Sequence, residues 1–435
     1  MRVLALDVGS SSTRAGAYDG GRQAAELARR SYSSRRGQLD ADELLQAAEA
    51  VLAEAGEEEA LGISCFWHSL LLLDEHDRPL TPVLLWQDRR AMAQAEALAE
   101  RLDAHEVHAR TGCTFHPSFW PAKLAWLRDE GVLAGARRAV SFADYLFLRL
   151  TGELRTSLST ASGSGLVNLR ERAWDAELLD ELGVDAALLP PISEEPAGTT
   201  YPPLGDGACS NLGAGCVTPD RAALNIGTSG ALRVLRQGEP EPRDGLFSYF
   251  LDERRVVEGG AVSDGGNLYA WAQRTLKLGE PLEPREPDGH GLTFLPLLGG
   301  ERSLGWSPSA RGAVTGLTFE TDANDLLQAG LEGVAYRIAE IADRLPGVRE
   351  VVATGHALLQ SDWWMQVFAD ALGRPVVASD VAEGSARGAA LYALERLGVE
   401  AEPAPLGRRH EPDPERSKLY GAARERQRLL YEKLF

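Results

Sequence analysis

Cysteine is scarce and unpatterned in this chain. Cys65, Cys113, Cys209 and Cys216 show neither C-x-x-C spacing nor a metal-ligand arrangement. A disulfide framework and a structural zinc site are not implied, and a reduced cytoplasm is the expected setting. Positive charge is also in short supply: 45 Lys and Arg face 64 Asp and Glu, a formal net charge of -19 at pH 7. That balance argues against a nucleic acid or an anionic membrane surface as partner. It does not exclude an anionic small molecule, because a local cationic pocket can sit in an acidic protein; solubility explains the bulk charge. Long apolar runs are missing, none approaching the ~20 residues of a membrane span. The chain opens almost directly on a strand-like segment, with no basic-then-apolar leader and no low-complexity stretch.

What remains is ordinary globular material with room for two or three domains: 435 residues, 44% hydrophobic and 25% charged. The first half alternates strand and helix patterns, which predicts an α/β domain with a largely parallel sheet. Strands are expected at 3–7, 61–65 and 70–73, and helices at 42–55, 89–102 and 120–129. Glycine and proline thicken from Pro190 to Gly215 and mark a boundary. Residues 1–218 then form a first domain and 219–435 a second. The second half restarts with a strand at 222–227. A helix at 324–345, a strand at 348–354, helices at 362–372 and 385–397 and a charged terminal helix at 415–434 follow.

One short pattern occurs twice. Leu4-Ala5-Leu6-Asp7-Val8-Gly9-Ser10-Ser11-Ser12-Thr13-Arg14 has a counterpart within Ala223-Leu224-Asn225-Ile226-Gly227-Thr228-Ser229-Gly230-Ala231-Leu232-Arg233. Asp7 meets Asn225, Gly9 meets Gly227, Ser10 meets Thr228 and Ser11 meets Ser229. Each copy is an apolar strand that breaks into glycine and hydroxyls. Glycine lets backbone approach a phosphate, and N–H and hydroxyl groups donate to its oxygens. A carboxylate at Asp7 suits Mg²⁺, which prefers oxygen ligands. One such turn is only a turn; two copies suggest similar domains gripping a nucleotide triphosphate in a cleft between them.

The order of motifs resembles the FGGY carbohydrate kinases over nearly the whole chain. Asp7-Val8-Gly9-Ser10-Ser11-Ser12 resembles the first phosphate motif, and Ile226-Gly227-Thr228-Ser229-Gly230 the second. Gly62-Ile63-Ser64, His68, Leu73-Asp74, Pro79-Leu80, Pro82 and Trp86-Gln87-Asp88-Arg89-Arg90 resemble the sugar-site block. Gly316-Leu317, Asp325-Leu326 and Glu332-Gly333 are similar to the C-terminal signature. Gly355, Ser361, Trp364, Gln366, Ala369-Asp370 and Gly388-Ala389-Ala390 are similar to the adenosine-side block. Strings such as His68-Ser69-Leu70, Thr111-Gly112 with His116-Pro117, and Ser159 to Leu166 lean toward gluconate kinases.

The resemblance implies an α/β fold of two actin-like ATPase (ribonuclease H-like) domains flanking a central cleft, with ATP and Mg²⁺ as cofactors. It implies transfer of the γ-phosphate to a terminal hydroxyl of a sugar or sugar acid, with D-gluconate as the first candidate. A xylulose, ribulose or glycerol kinase is the nearest alternative, and a catalytically weak sugar or ATP sensor the more distant one. The sequence is compatible with a homodimer.

Asp206, between Gly205 and Gly207, is the expected base: flanking glycines leave its carboxylate unshielded, and the family's base sits in such a string. Gly227, Thr228, Ser229 and Gly230 would hold the transferring phosphate, and Gly9, Ser10, Ser11 and Ser12 the metal–phosphate side around Asp7. Arg14 is either a phosphate clamp or a solvated neighbour. A sugar acid calls for a cation or several donors, and His68, Arg89, His116 and Lys123 are the candidates. Asp88 would accept from hydroxyls; Trp86 and Trp120 would wall the pocket. Gly355 and His356 would meet adenosine. Two departures stand out. His356 follows Gly355 where the family usually pairs glycines, and the short Glu194–Gly205 segment carries Pro202-Pro203, which weakens any strand pairing before Asp206.

Overall fold

The structure is a computed structural model that describes residues 1–276, 278 and 282–435. The first sheet begins with β1 (Arg2–Val8), buried from Val3 onward, as its continuous apolar run requires of a central strand. β2 (Ser12–Asp19) returns antiparallel to it, pairing Asp7 with Arg14 and Val8 with Thr13. β3 (Ala28–Ser31) pairs with β2. Helix α1 (Ala41–Ala55) follows, its first turn capped by the Asp40 carboxylate, which accepts from the N–H groups of Asp42 and Glu43. β4 (Leu61–Cys65) lies parallel to β1, and β5 (Leu204–Gly205) parallel to β4.

The second sheet repeats this plan. β6 (Arg221–Ile226) and β7 (Gly230–Gln237) form a hairpin. Edge strand β8 (Phe247–Phe250) and β9 (Arg255–Val262) extend it on the β7 side. β10 (Glu350–Thr354), β11 (Val376–Ser379) and β12 (Leu406–His410) extend it on the β6 side. Order β5-β4-β1-β2 in one sheet thus matches β11-β10-β6-β7 in the other. Both sheets are mixed rather than largely parallel. The reason is local: the three residues between β1 and β2 can only join antiparallel neighbours, whereas a parallel pair needs a crossover of a dozen residues or more. Leu71–Leu73 joins Arg138–Val140 in a separate two-stranded pair outside the main sheet.

The helices that matter for the site are few. α2 (Trp120–Asp129) is buried around most of its girth. α3 (Asp206–Gly213) starts directly after β5, and α4 (Gly266–Leu276) starts beside the second phosphate turn. α5 (Ala323–Asp343) covers the second sheet and α6 (Asp362–Leu372) packs on it. α7 (Gly384–Arg396) crosses to the first half and packs on α3, β4 and β1. A Cβ on Gly213 would stand 2.9 Å from the Gly388 amide nitrogen, so the α3–α7 crossing is backbone against backbone. The terminal helix α8 (Pro414–Leu434) lies across α5 and α6.

Within the stretch 190–215, read as a boundary for its glycine and proline, residues 201–205 are buried. Leu204 pairs with Ser64 and Gly205 with Cys65 despite the two preceding prolines, and α3 is buried at every residue except Asp206. No described helix is long and apolar enough to cross a membrane.

Candidate active site

The two hairpin turns face one cavity of about 530 Å³ between the sheets. Ser10 and Ser11 line it from the first turn, and Asn225, Gly227, Thr228 and Ser229 from the second. Asp206, at the start of α3, reaches the same space, as do His68, Trp86 and Gln87.

Asp206 is positioned by the indole of Trp67. A Cβ on Gly205 would stand inside that ring, and one on Gly207 would meet both it and the Arg233 guanidinium, 2.8 Å from Nε. The two glycines therefore make room for Trp67 and Arg233; leaving the carboxylate bare is a by-product. Trp67 is itself fixed, its Nε1–H donating to the Ser159 carbonyl at 2.9 Å. Asp206 Oδ1 accepts from the Gly207 N–H at 2.8 Å. Burial raises the Asp206 carboxyl above its ordinary value, with Arg233 pulling the other way and Asp7 adding to the rise. A carboxylate held in this way is a stronger proton acceptor.

His68 occupies the left-handed region, φ 67°, a conformation that costs a non-glycine residue about 1–3 kcal/mol. Its Nδ1 lies 2.6 Å from the Gly163 carbonyl oxygen, which can only accept. Nδ1 therefore carries the proton and Nε2 keeps a lone pair. Burial, reinforced by Arg302, holds the ring well below its ordinary pKa, so it is a neutral acceptor rather than a cation.

Lys123, expected in the sugar pocket, lies beneath it. Its Nζ donates to the carbonyls of His68 at 2.5 Å and Leu84 at 3.2 Å, and burial lowers it to about 7. It holds the strained His68 loop and does not line the cavity. His116 does not line it either. Its Nδ1 accepts from the Ser118 N–H at 3.2 Å, and its ring packs edge-on to Trp306. Burial, with Arg302 close by, lowers it to about 3. Asp88 is turned away, bound by Arg90 through Nε and Nη2. Arg89 donates to the Pro308 carbonyl, bridging to a loop of the second half. Trp120 stacks on Trp174 and donates to the Ser69 carbonyl, away from the cavity.

Asp7 accepts from Arg14 Nε at 2.8 Å and from the Ser64 hydroxyl at 2.7 Å. Arg14 also pairs with Glu383 at 3.2 Å, so its guanidinium is committed to carboxylates rather than turned to the cleft. Gly9 closes the first turn, its N–H donating to the Ser12 carbonyl, and Ser12 belongs to β2. Gly230 opens β7. Gly355, φ 90°, lies on the backbone of Ile226, where a Cβ would be 2.5 Å from the carbonyl oxygen. His356 opens onto a second hollow of about 820 Å³, walled by Tyr269, Leu331, Trp363 and Trp364.

Sequence reasoning missed two cations. Arg233 and Arg302 both line the cavity, and each leaves a buried Nε without a hydrogen-bond partner. Neither forms an ion pair among the described residues. Gln87 Oε1 is orphaned in the same wall. The buried hydroxyl of Tyr249, whose ring is edge-on to Trp67 and His68, also lacks a partner. Arg233 could have been noticed, since it lies one residue pair beyond the second phosphate turn. Arg302 sits in a loop with no motif.

Residues 2–211 match the N-terminal domain of the FGGY family of carbohydrate kinases, and residues 222–395 match its C-terminal domain. The chain belongs to that family. It is an ATP-dependent carbohydrate kinase with the family's two-domain α/β fold. This FGGY kinase is 30% identical to a gluconokinase of Bacillus subtilis (strain 168) over 381 residues, covering 78% of the chain and 74% of that relative. It is 34% identical to a xylulose kinase of Streptomyces rubiginosus over 395 residues, covering 85% and 81%. The crystal structure of a gluconate kinase from Lactobacillus acidophilus superposes with a TM-score of 0.89 at 27% identity, covering 100% of this chain and 98% of that one.

Proposed function

We propose that this FGGY kinase phosphorylates the terminal hydroxyl of a sugar acid, with D-gluconate, giving 6-phosphogluconate, as the substrate to test first. The observation that carries this reading is Arg302, a half-buried guanidinium without a carboxylate partner in a cleft of an otherwise acidic protein. A desolvated, unpaired cation is costly, and an anionic ligand offsets that cost. A neutral polyol needs no such cation. The likeness to a gluconokinase and to a gluconate kinase structure supports the reading, while the xylulose kinase at 34% identity shows that similarity alone does not choose the acceptor.

In this scheme Asp206 takes the proton from the acceptor hydroxyl. The hydroxyl oxygen bonds to the γ-phosphorus as the bond to the β–γ bridging oxygen breaks, and ADP leaves. The hydroxyls of Ser10, Ser11, Thr228 and Ser229 donate to phosphate oxygens, while the Gly227 N–H closes its turn on the Ser229 carbonyl; His68 Nε2 accepts from a substrate hydroxyl. The Asp7 carboxylate is hard oxygen and would suit Mg²⁺, which when bound neutralises charge on the transferring group. Asp7 is kept in place for that role by Arg14 and Ser64. Adenosine occupies the hollow from His356 to Trp364. Four free, buried cysteines suit a reduced cytoplasm.

The experiment is ADP release with MgATP against D-gluconate, D-xylulose, L-ribulose and glycerol. The reading requires gluconate to give the highest kcat/KM. Preference for a neutral sugar removes the acid reading and leaves the kinase; nucleotide binding with no turnover on any acceptor points to a sensor.

A further inference from the structure

We infer that Arg302 is the residue that reads the substrate's carboxylate, and that Tyr431 on the terminal helix positions it. The inference rests on the sugar-acid reading and divides the work between the two arginines.

Arg233 belongs at the transfer end. Its guanidinium packs on Gly207, beside Asp206, and it is the principal charge opposing the rise of that carboxyl. Whatever anion it meets there is the phosphoryl group in transit or the ionised base. Arg302 is placed differently. Its guanidinium lies 4.6 Å over the centre of the Trp86 ring, and Trp86, His68 and Arg302 line one cavity. Stacked there, it lies on the side taken as polyol-binding, with Asp206 and Arg233 still within its electrostatic reach. Stacking on Trp86 occupies one face of the planar fork and leaves its edge, including the unpartnered Nε, for a carboxylate.

Arg302 comes from the second half of the chain and Trp86 from the first, so this contact spans the cleft. The same loop is tied across it by Arg89, which donates to the Pro308 carbonyl.

The loop is anchored from behind. Glu301 is buried, and its carboxylate accepts from Arg337 on α5 and from the Tyr431 hydroxyl on α8 at 2.8 Å. The Arg337 guanidinium lies 4.9 Å from the Tyr431 ring centre. Glu301 N–H donates to the Ser307 carbonyl at 2.9 Å, and the Ser303 hydroxyl accepts from Ala261 N–H at 2.7 Å. Both neighbours of Arg302 are therefore pinned, one of them through the last turns of the chain. Tyr431 does not touch the cavity and acts only through Glu301, so it is a positioning residue.

The test compares D-gluconate with D-glucitol, which has a CH₂OH in place of the carboxylate. KM, or Ki where turnover is nil, is measured for wild type, Arg302→Gln, Arg302→Lys and Tyr431→Phe, with a melting curve for each. Losing charge-assisted hydrogen bonds to a carboxylate corresponds to about 30- to 100-fold in affinity. Arg302→Gln should raise the gluconate constant by that factor and move the glucitol constant by less than about threefold. Arg302→Lys should fall between, retaining charge without the fork. Tyr431→Phe should raise the gluconate KM by a smaller factor while kcat holds. If wild type shows no preference for the acid, the sugar-acid reading fails and the inference with it. If wild type prefers the acid and Arg302→Gln keeps that preference, or loses both ligands equally with an unchanged melting curve, the inference alone is overturned.

Discussion

The indole of Trp67 fills the space that a Cβ on Gly205 would need. The catalytic turn and the loop before His68 are therefore a single packed unit. Gly205→Ala must displace the ring, and with it either Asp206 or the His68 loop. Overpacking of this kind costs about 1–3 kcal/mol, and a misplacement of about 1 Å can lower kcat about 10²-fold. Steady-state kinetics with a urea melt checks this; a variant with wild-type kcat would show that the turn does not depend on Trp67.

Asp206→Asn keeps the shape of the turn, because the amide oxygen can still accept from the Gly207 N–H. It removes the proton acceptor. Turnover should fall by about 10²–10⁴-fold, while ATP affinity, read by calorimetry, stays within error. In the wild type, kcat/KM should fall on the acid side through a pKa above the ordinary 3.8, since burial raises this carboxyl. Near-wild-type turnover in the variant would remove Asp206 from the base role.

Lys123→Met deletes the ammonium that joins the carbonyls of His68 and Leu84. The His68 carbonyl is then left without a donor, a loss of about 1–3 kcal/mol, whereas that of Leu84 still accepts from the Leu70 N–H. The left-handed His68 should relax, raising the acceptor KM about tenfold or more while the ATP KM is unchanged. Equal effects on both KM values would place Lys123 outside the sugar side.

Glu194 gives a pH signature away from the site. Burial raises its carboxyl from an ordinary 4.5 to about 7, against donors from the Leu158 N–H and the Tyr392 hydroxyl. Between these values the folded state binds more protons than the unfolded, so this group's stabilisation is present below 4.5 and lost as pH rises through 7. Glu194→Gln should remove that slope. Relative to wild type it should gain up to about 3 kcal/mol between pH 4.5 and pH 8 in urea denaturation. A variant-to-wild-type difference that is the same at both pH values would contradict the assignment.

The repeat of Asp7-Val8-Gly9-Ser10-Ser11 and Asn225-Ile226-Gly227-Thr228-Ser229 was legible because it is local: strand, glycine and hydroxyls are adjacent in the chain. It led directly to two matching sheets. Side-chain destinations set by distant contacts were not legible. Lys123 reads as a cation for the sugar pocket, yet α2 is buried on nearly all sides and its ammonium ends on carbonyls from 68 and 84. Asp88 reads as a hydroxyl acceptor but is taken by Arg90, two residues on. Glycine and proline from 190 to 215 read as a boundary; that Gly205 and Gly207 make room for Trp67, a residue of another segment, is visible only in the fold. Arg302 carries no pattern at all; only the fold brings it over Trp86.

The most direct test of the sugar-acid reading is the ratio of kcat/KM for D-gluconate to that for D-glucitol, with MgATP, at low and high salt. The unpaired Arg302 guanidinium in the cleft predicts a ratio of about 30 or more that shrinks as salt screens the charge. A ratio near one, or a preference for the neutral polyol, would contradict it.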